Sequence, residues 1–332
     1  LKTNINIFEV AKEAGVSKST VSRALNNDYG VSQEAKEKVM TAVEVLKYRP
    51  NMSAKHLRKK NNNLLGILIS REYAEYEDVF HPLNSYKIEG IIKRASELDY
   101  DVLIFMENIS DPRRLHSVIK EKGIAAIILM DTVPNDVLES FRSYRIPFVQ
   151  INWLAIDYKH QCYVKTDLSK ATTMALNLFV EKGYTDIGVI NWEDRHMEEK
   201  VIQNAFADFM EKKGLIHKGC ILNTEFEVQK DEIYEFLRRT KKRAYLCFSY
   251  PASMNIIKYC TENGISMPDE LALISYEFFP FFDLLYPKLT GIKQQADLMG
   301  EKAVDKLVQK LNGEENVINE LLVPEIIIRE SC

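Results

Sequence analysis

INIFEVAKEAGVSKSTVSRALNN, residues 5–27, reads as two short helices joined by a tight turn. Asn6 followed by Glu9 forms a capping-box start. Phe8, Val10, Ala11 and Ala14 supply an apolar face at helical spacing. Gly15 falls where the first helix must stop and reverse, a place suited to positive φ. Ser17 caps a second helix running to Asn26, with Val21, Ala24 and Leu25 inward at i, i+3 and i+4. The outward face of that helix holds Lys18, Ser19, Ser22, Arg23 and Asn26 and no carboxylate. Cations, hydroxyls and an amide are the groups that reach base edges and phosphates in a major groove. Turn, caps and an acid-free face together predict a helix-turn-helix with Ser17–Asn26 as recognition helix.

This stretch resembles the DNA-binding headpiece of the lactose-repressor (LacI/GalR) family. The likeness continues through VSQEAKEKVMTAVEVLKYRPNMSAKHLRKK to Lys60, taking in a third helix and a Tyr-x-Pro-Asn hinge. Ser32 caps that third helix, whose stripe of Ala35, Val39, Ala42, Val43 and Leu46 closes on Val21 and Leu25, and Arg49-Pro50 ends it. The resemblance implies that Lys18, Ser19 and Arg23 reach bases, with Asn26 on the same face, and that Thr20 and Ser22 hold phosphates. It further implies that residues 51–61 fold as a hinge helix when two copies meet on a pseudo-palindromic operator. Asn51 opens that segment, Lys55 faces the backbone, and Leu57, with Ala54 beside it, wedges into the minor groove.

Around this head the totals are those of a globular chain: 332 residues, 46% hydrophobic and 28% charged. No apolar run approaches the ~20 residues of a membrane span, and no signal-peptide core opens the chain, so a soluble cytoplasmic protein is expected. The five cysteines lack CxxC pairing and read as reduced and structural. No metal or cofactor is expected. The net charge of −4 hides an asymmetry: residues 1–61 hold 12 Lys and Arg against 6 Asp and Glu, whereas the remainder holds 32 against 42. A basic head on an acidic body suits a head that meets nucleic acid.

Beyond Asn63, apolar runs alternate with amphipathic helices: 64–70, 101–106, 124–130, 147–151, 187–192, 244–248 and 270–276. Near-continuous apolar strands separated by helices predict parallel sheets covered on both faces, here two doubly wound α/β lobes. This fits the two-lobed, periplasmic-binding-protein-like body that the resemblance implies. The expected organisation is an all-α headpiece (1–50), a hinge helix (51–61) and a body (62–332). The body's N-lobe spans about 62–164 and 292–322, and its C-lobe about 165–291 and 323–332. The chain should cross between lobes near 163–167, 290–294 and 320–324.

Ligands of such sheets sit beyond the carboxyl ends of the strands. Those ends offer Arg71, Tyr73, Asp131, Trp153, Arg195, Tyr250 and Glu277 as effector-binding candidates. Here the chain departs from the family it resembles. The arginine that sugar-responsive members carry on the first helix of the second lobe falls on Glu199, or on Lys200. The family's Asn-Asp becomes Ser249-Tyr250, its Gly-Phe-Asp-Asp becomes Ser275-Tyr276-Glu277-Phe278, and its aspartate after the crossing survives as Asp167. Glu199, Glu277 and Asp167, with Arg195 as counter-charge, predict an acidic cleft that binds hexoses poorly and hexose phosphates worst. An amine-bearing or heterocyclic effector stacked on Trp153 or Trp192 would suit it better.

The function expected is therefore a dimeric, effector-controlled transcription regulator that acts as a repressor. Its partners are a DNA operator, a small molecule and a second copy. Two alternatives stay open: control by a regulatory protein, and a cleft that has lost its ligand. An enzyme is disfavoured, because there is no Gly-x-Gly-x-x-Gly, Walker loop, nucleophile elbow or HExxH. A dimer and no tetramer is expected, since the chain stops at Cys332 without a C-terminal heptad segment.

Overall fold

A computed structural model describes residues 6–26, 30–48, 63–70, 82–130, 133–151, 162–192, 197–216, 219–224, 230–314 and 317–332. Of Asn26, Trp192 and residues 197–199 it describes the backbone alone. The chain divides into two compact units, Leu1–Asn62 and Asn63–Cys332.

The first unit is three helices: α1 (Ile7–Glu13), α2 (Lys18–Asn26) and α3 (Gln33–Leu46). Asn6 Oδ1 accepts from the Phe8 and Glu9 amides, and Glu9 Oε2 accepts from the Asn6 amide at 2.7 Å, completing the capping box. Gly15 turns the chain at φ 64°. A Cβ there would meet nothing within 4 Å, so the position needs glycine for its backbone and not for space. Ser17 Oγ accepts from the Thr20 amide at 3.1 Å and starts α2. Ser32 Oγ does the same for Ala35 and α3. Val10, Ala11, Ala14, Val21, Ala24, Val39 and Ala42 form the core, with Leu25, Val43 and Leu46 packed at its edge.

Two expectations fail in this unit. Phe8 does not join the core: it is 62% exposed and lies under the Lys18 ammonium, 4.3 Å from its ring centroid. The third helix ends before the proline, at Leu46, where Lys47 turns left-handed at φ 48° and its amide returns to the Val43 and Glu44 carbonyls. Replacing Asn6 by alanine removes the acceptor for two orphan amides and is expected to cost the head about 1 kcal/mol. Amide hydrogen exchange across Val10–Ala14 should accelerate severalfold, with exchange in the body unchanged.

The second unit holds two six-stranded sheets. In the first the order is β11-β5-β4-β3-β1-β2, all parallel. These strands are β1 (Leu64–Ser70), β2 (Asp101–Glu107), β3 (Ala126–Leu129), β4 (Phe148–Ile151), β5 (Tyr163–Thr166) and β11 (Glu320–Leu322). In the second the order is β12-β10-β9-β8-β6-β7. It comprises β6 (Ile187–Trp192), β7 (Ile221–Thr224), β8 (Ala244–Cys247), β9 (Ala272–Ser275), β10 (Thr290–Lys293) and β12 (Glu325–Ile327). Its edge strand β12 runs antiparallel to β10, an exception to the all-parallel expectation. A three-residue edge strand needs no crossover helix and can pair in either direction.

Helices α4 (Pro82–Glu97), α5 (Pro112–Lys122), α6 (Asn135–Ser143) and α11 (Ala296–Leu311) pack on the first sheet. Those of the second are α7 (Leu168–Glu181), α8 (Met197–Lys212), α9 (Lys230–Thr240) and α10 (Tyr250–Asn263). The closest helix pair is α4 and α11, which meet backbone to backbone. A Cβ on Gly90 would lie 1.9 Å from the Asp297 carbonyl oxygen, and one on Gly300 2.2 Å from that of Lys87.

The chain passes from sheet to sheet after Thr166, after Lys293 and after Leu322. These passages are stitched together. The Asp167 amide donates to the Leu322 carbonyl at 2.9 Å, and Thr166 Oγ1 to the Gln294 carbonyl at 2.8 Å. Gln294 Nε2 donates to the Tyr276 carbonyl at 3.0 Å. No helix among the described residues is long and apolar enough to cross a membrane.

Candidate nucleic-acid interface and effector cleft

On α2, Val21 and Ala24 are buried in the head's core, which turns the opposite face outward. Ser19 and Arg23 are exposed there, and Lys18, Thr20 and Ser22 are half-buried. The described side chains include two cations and three hydroxyls, and no acid interrupts them. Ser17 Oγ holds the Ser19 hydroxyl at 2.7 Å and the Thr20 hydroxyl at 2.9 Å, so the first turn presents an ordered row of hydroxyls. The Lys18 contact with Phe8 ties the first turn of α2 back to α1. Hydroxyls at a helix start beside amides facing solvent suit a phosphate, and Arg23 one turn later suits a bidentate base contact. The hinge residues Asn51, Ala54, Lys55 and Leu57 lie outside the described residues, and Asn26 is described by its backbone alone.

In the body, Arg71, Tyr73, Asp131, Trp153 and Arg195 lie outside the described residues, and the Glu199 and Trp192 side chains do too. Asp167, Tyr250 and Glu277 are described. Asp167 is half-buried and caps α7, its Oδ1 accepting from the Lys170 amide at 2.9 Å. Tyr250 opens α10 and is half-buried, with its ring edge-on to Phe279 at 5.6 Å and to Phe281 at 6.0 Å. Glu277 follows β9 and is 3% exposed, and its Oε2 accepts from the Tyr250 amide at 2.8 Å.

Burial pushes the Glu277 carboxyl up to about 8, against the opposing pull of the Tyr250 amide and the Lys87 ammonium. Near neutral pH it is largely a neutral acid. This alters the expected cluster of three mutually repelling carboxylates: Glu277 is protonated by burial, and Asp167 is engaged as a helix cap.

Lys87 is the residue that sequence reasoning missed. It lies on α4, in the first sheet's layer, and is only 2% exposed. Its ammonium donates to Asn84 Oδ1 at 3.0 Å, and its charge acts on Glu277 of the second sheet. The neighbouring Tyr86 ring stacks on Phe279 at 6.4 Å and 11°, and Leu83 packs into the same cluster. The first two turns of α4 therefore reach the strand ends of the second sheet. A signal existed: Leu83, Lys87, Gly90, Ile91 and Ala95 share one helical face, and the lysine interrupts an otherwise apolar stripe. Among the described residues, no group of three or more His, Cys, Asp or Glu is placed to hold a metal ion.

Residues 6–51 match the family model described as bacterial regulatory proteins, lacI family, and residues 176–332 match the periplasmic binding protein-like domain. The chain is 29% identical to the HTH-type transcriptional regulator RegA of Clostridium acetobutylicum, over 98% of this chain and 99% of that protein. It is 27% identical to the HTH-type transcriptional regulator DegA of Bacillus subtilis (strain 168), over 98% and 97%. Among solved structures, a lac repressor dimer bound to operator and the anti-inducer ONPF superposes with a TM-score of 0.83 at 20% identity, covering 99% of both chains. That likeness is one of fold.

Proposed function

We propose that this chain, a helix-turn-helix transcriptional regulator of the LacI/GalR type with a DNA-binding head and an effector-binding body, is a cytoplasmic repressor and not an enzyme. It binds a pseudo-palindromic operator as a homodimer and responds to a small molecule, not a simple hexose, at the strand ends between its two sheets. The observation that carries this is the carboxylate-free outer face of α2, held by the caps at Asn6 and Ser17. Two-fold symmetry would present two such helices to half-sites about one DNA turn apart. The hinge residues Asn51, Ala54, Lys55 and Leu57 are proposed to complete the grip from the minor groove, a reading that rests on their sequence alone.

Selection from a random duplex pool should return a two-fold symmetric site whose affinity falls steeply with salt. Arg23→Ala should weaken that site by about 1–3 kcal/mol and relax base preference at one position in each half-site. Unchanged affinity and selectivity in Arg23→Ala would mean that another face of α2 meets the DNA. Light scattering of the full chain should give the mass of a dimer.

A further inference from the structure

Arg238, Arg239, Lys241, Lys242 and Arg243 put five cations into six positions just before β8. We propose that this stretch is a second, sequence-independent nucleic-acid surface, on which the body holds the phosphate backbone of a duplex other than the operator in the head. The surface is separate from α2 and from the effector candidates at the strand ends.

The stretch closes α9, and Lys241 turns the chain out of the helix at φ 47°. Strands β8, β6 and β7 are neighbours and run parallel, so their starts share one rim. The carboxyl rim of the same sheet is the one stitched to the first sheet, where Thr166 Oγ1 donates to the Gln294 carbonyl. The cations therefore stand at an outer end of the body. Leu64, where the chain enters the body from the head, begins β1 at the other outer end. Lys182 at the exit of α7, and Lys212 and Lys213 at that of α8, are exposed on the same rim as the five cations. Glu181, Asp186 and Glu211 lie among them.

Cations in the last turn of a helix commonly do no more than answer its macrodipole. That accounts for Arg238 and Arg239, but not for Lys241 and Arg243 beyond the helix. Of the five, Lys242 alone is matched by a carboxylate among the described residues, that of Asp186. Arg239 lies over the Phe236 ring at 5.8 Å. Arg243 lies over Tyr184 at 5.5 Å, and its Nη2 donates to the Asp269 carbonyl at 2.9 Å. These partners are neutral, so they orient the guanidinium planes without cancelling their charge. Arg238 and Lys241 are exposed and form no ion pair with a described residue, although Glu235 stands one turn before Arg238.

The absence of an apolar centre selects the partner. A protein surface docks around buried aromatic or aliphatic anchors. No large apolar side chain between Lys230 and Phe248 is exposed. A phosphate backbone asks for charge and bidentate donors, which three arginines and a lysine supply. The acidic remainder of the body does not forbid this, because charges more than about 8 Å away are largely screened at physiological ionic strength. With four phosphates neutralised, log affinity should fall against log salt with a slope of about −3.6, roughly a hundredfold between about 50 and 200 mM.

The test immobilises a selected operator duplex, loads it with the full chain and adds a fluorescent duplex of unrelated sequence at about 50 mM salt. Wild type should capture the second duplex and release it at about 200 mM. Arg238→Glu with Lys241→Glu should cut capture by about tenfold or more, while the operator retains the same amount of chain. Both side chains are exposed, so the melting temperature should hold. Arg113→Glu with Arg114→Glu makes the same charge change on exposed residues of α5 and should leave capture unaltered. No captured duplex, unaltered capture in Arg238→Glu with Lys241→Glu, or equal losses in both double variants overturns the proposal. Tighter binding of polyglutamate than of the duplex at equal salt also overturns it, in favour of an acidic protein partner. Failure of the regulator reading would show separately, as a chain that no operator retains. Anisotropy of the fluorescent duplex titrated with free chain then reads the same variants, and the reversal must still weaken binding.

Discussion

Gly90→Ala is expected to lower the melting temperature of the body by several degrees, although alanine is the better helix former. The intrinsic gain from replacing a helical glycine is about 0.5–1 kcal/mol. Against it, the new Cβ would sit 1.9 Å from the Asp297 carbonyl oxygen, a backbone atom that cannot rotate away. Relief requires α4 and α11 to separate, and overpacking of this kind costs about 1–3 kcal/mol and occasionally more. The crossing also anchors an apolar cluster, since Ile91 and Ala95 of α4 and Met299 and Ala303 of α11 share one core. The steric term therefore wins. For a unit of this size each kcal/mol corresponds to roughly 2–4 °C. Lys93→Ala, which removes an ion pair with Glu301 from the same helix, should change the melting temperature by about a degree at most. If Gly90→Ala melted at or above the wild-type temperature, the helices would not meet backbone to backbone.

Glu277 makes stability depend on pH in a direction opposite to that of an ordinary surface carboxylate. Its folded value of about 8 stands above the ordinary carboxyl value of 4.5. Between those limits the folded chain keeps a proton that the unfolded chain has released, so rising pH favours unfolding. The contribution is fully present below about pH 4.5 and is lost as pH rises through about 8. Its slope is at most about 1.4 kcal/mol per pH unit. Glu277→Gln removes this titration while retaining an acceptor for the Tyr250 amide. Its denaturant midpoint should be closer to constant between pH 5 and 8, and it should overtake wild type at the alkaline end. Parallel pH profiles for the two proteins would place the ionisation elsewhere.

The parts of this molecule readable from its sequence are those set by neighbours in the chain. Asn6 with Glu9, Ser17 with Thr20 and Ser32 with Ala35 cap their helices within three residues, so their letters suffice. The seven apolar runs are all strands, because a strand buried on both faces needs little besides apolar side chains. Tyr163–Thr166, Ile221–Thr224 and the short strands beyond Asn319 were not evident as strands. They are three or four residues long and carry polar side chains, and their pairing is imposed by the sheet that receives them.

The cleft was least legible. Lysine in a helix normally signals water, and only the approach of α4 to the second sheet turns Lys87 into an interior charge. Glu277 reads as an anion in sequence because the cause of its protonation, burial from all sides, is assembled from distant segments. Phe8 misled for the converse reason. Its spacing fits the core, yet the three-helix interior is filled by valine and alanine, and the ring is left to meet Lys18.

The order in which the strands leave the ribosome has its own consequence. Both sheets wait for late strands: β11 at Glu320–Leu322 completes one edge, and three residues later β12 begins the other. Until those strands are translated, the body's two layers each expose an unpaired rim, while the head's three helices have been complete since about residue 48. Synthesis thus emits the DNA-reading part before the controlling part. A chain cut short before Glu320 would be able to form its reading head but would lack a finished receiver for any signal. Such a fragment also carries open strand edges, the feature that quality-control proteases and aggregation both exploit.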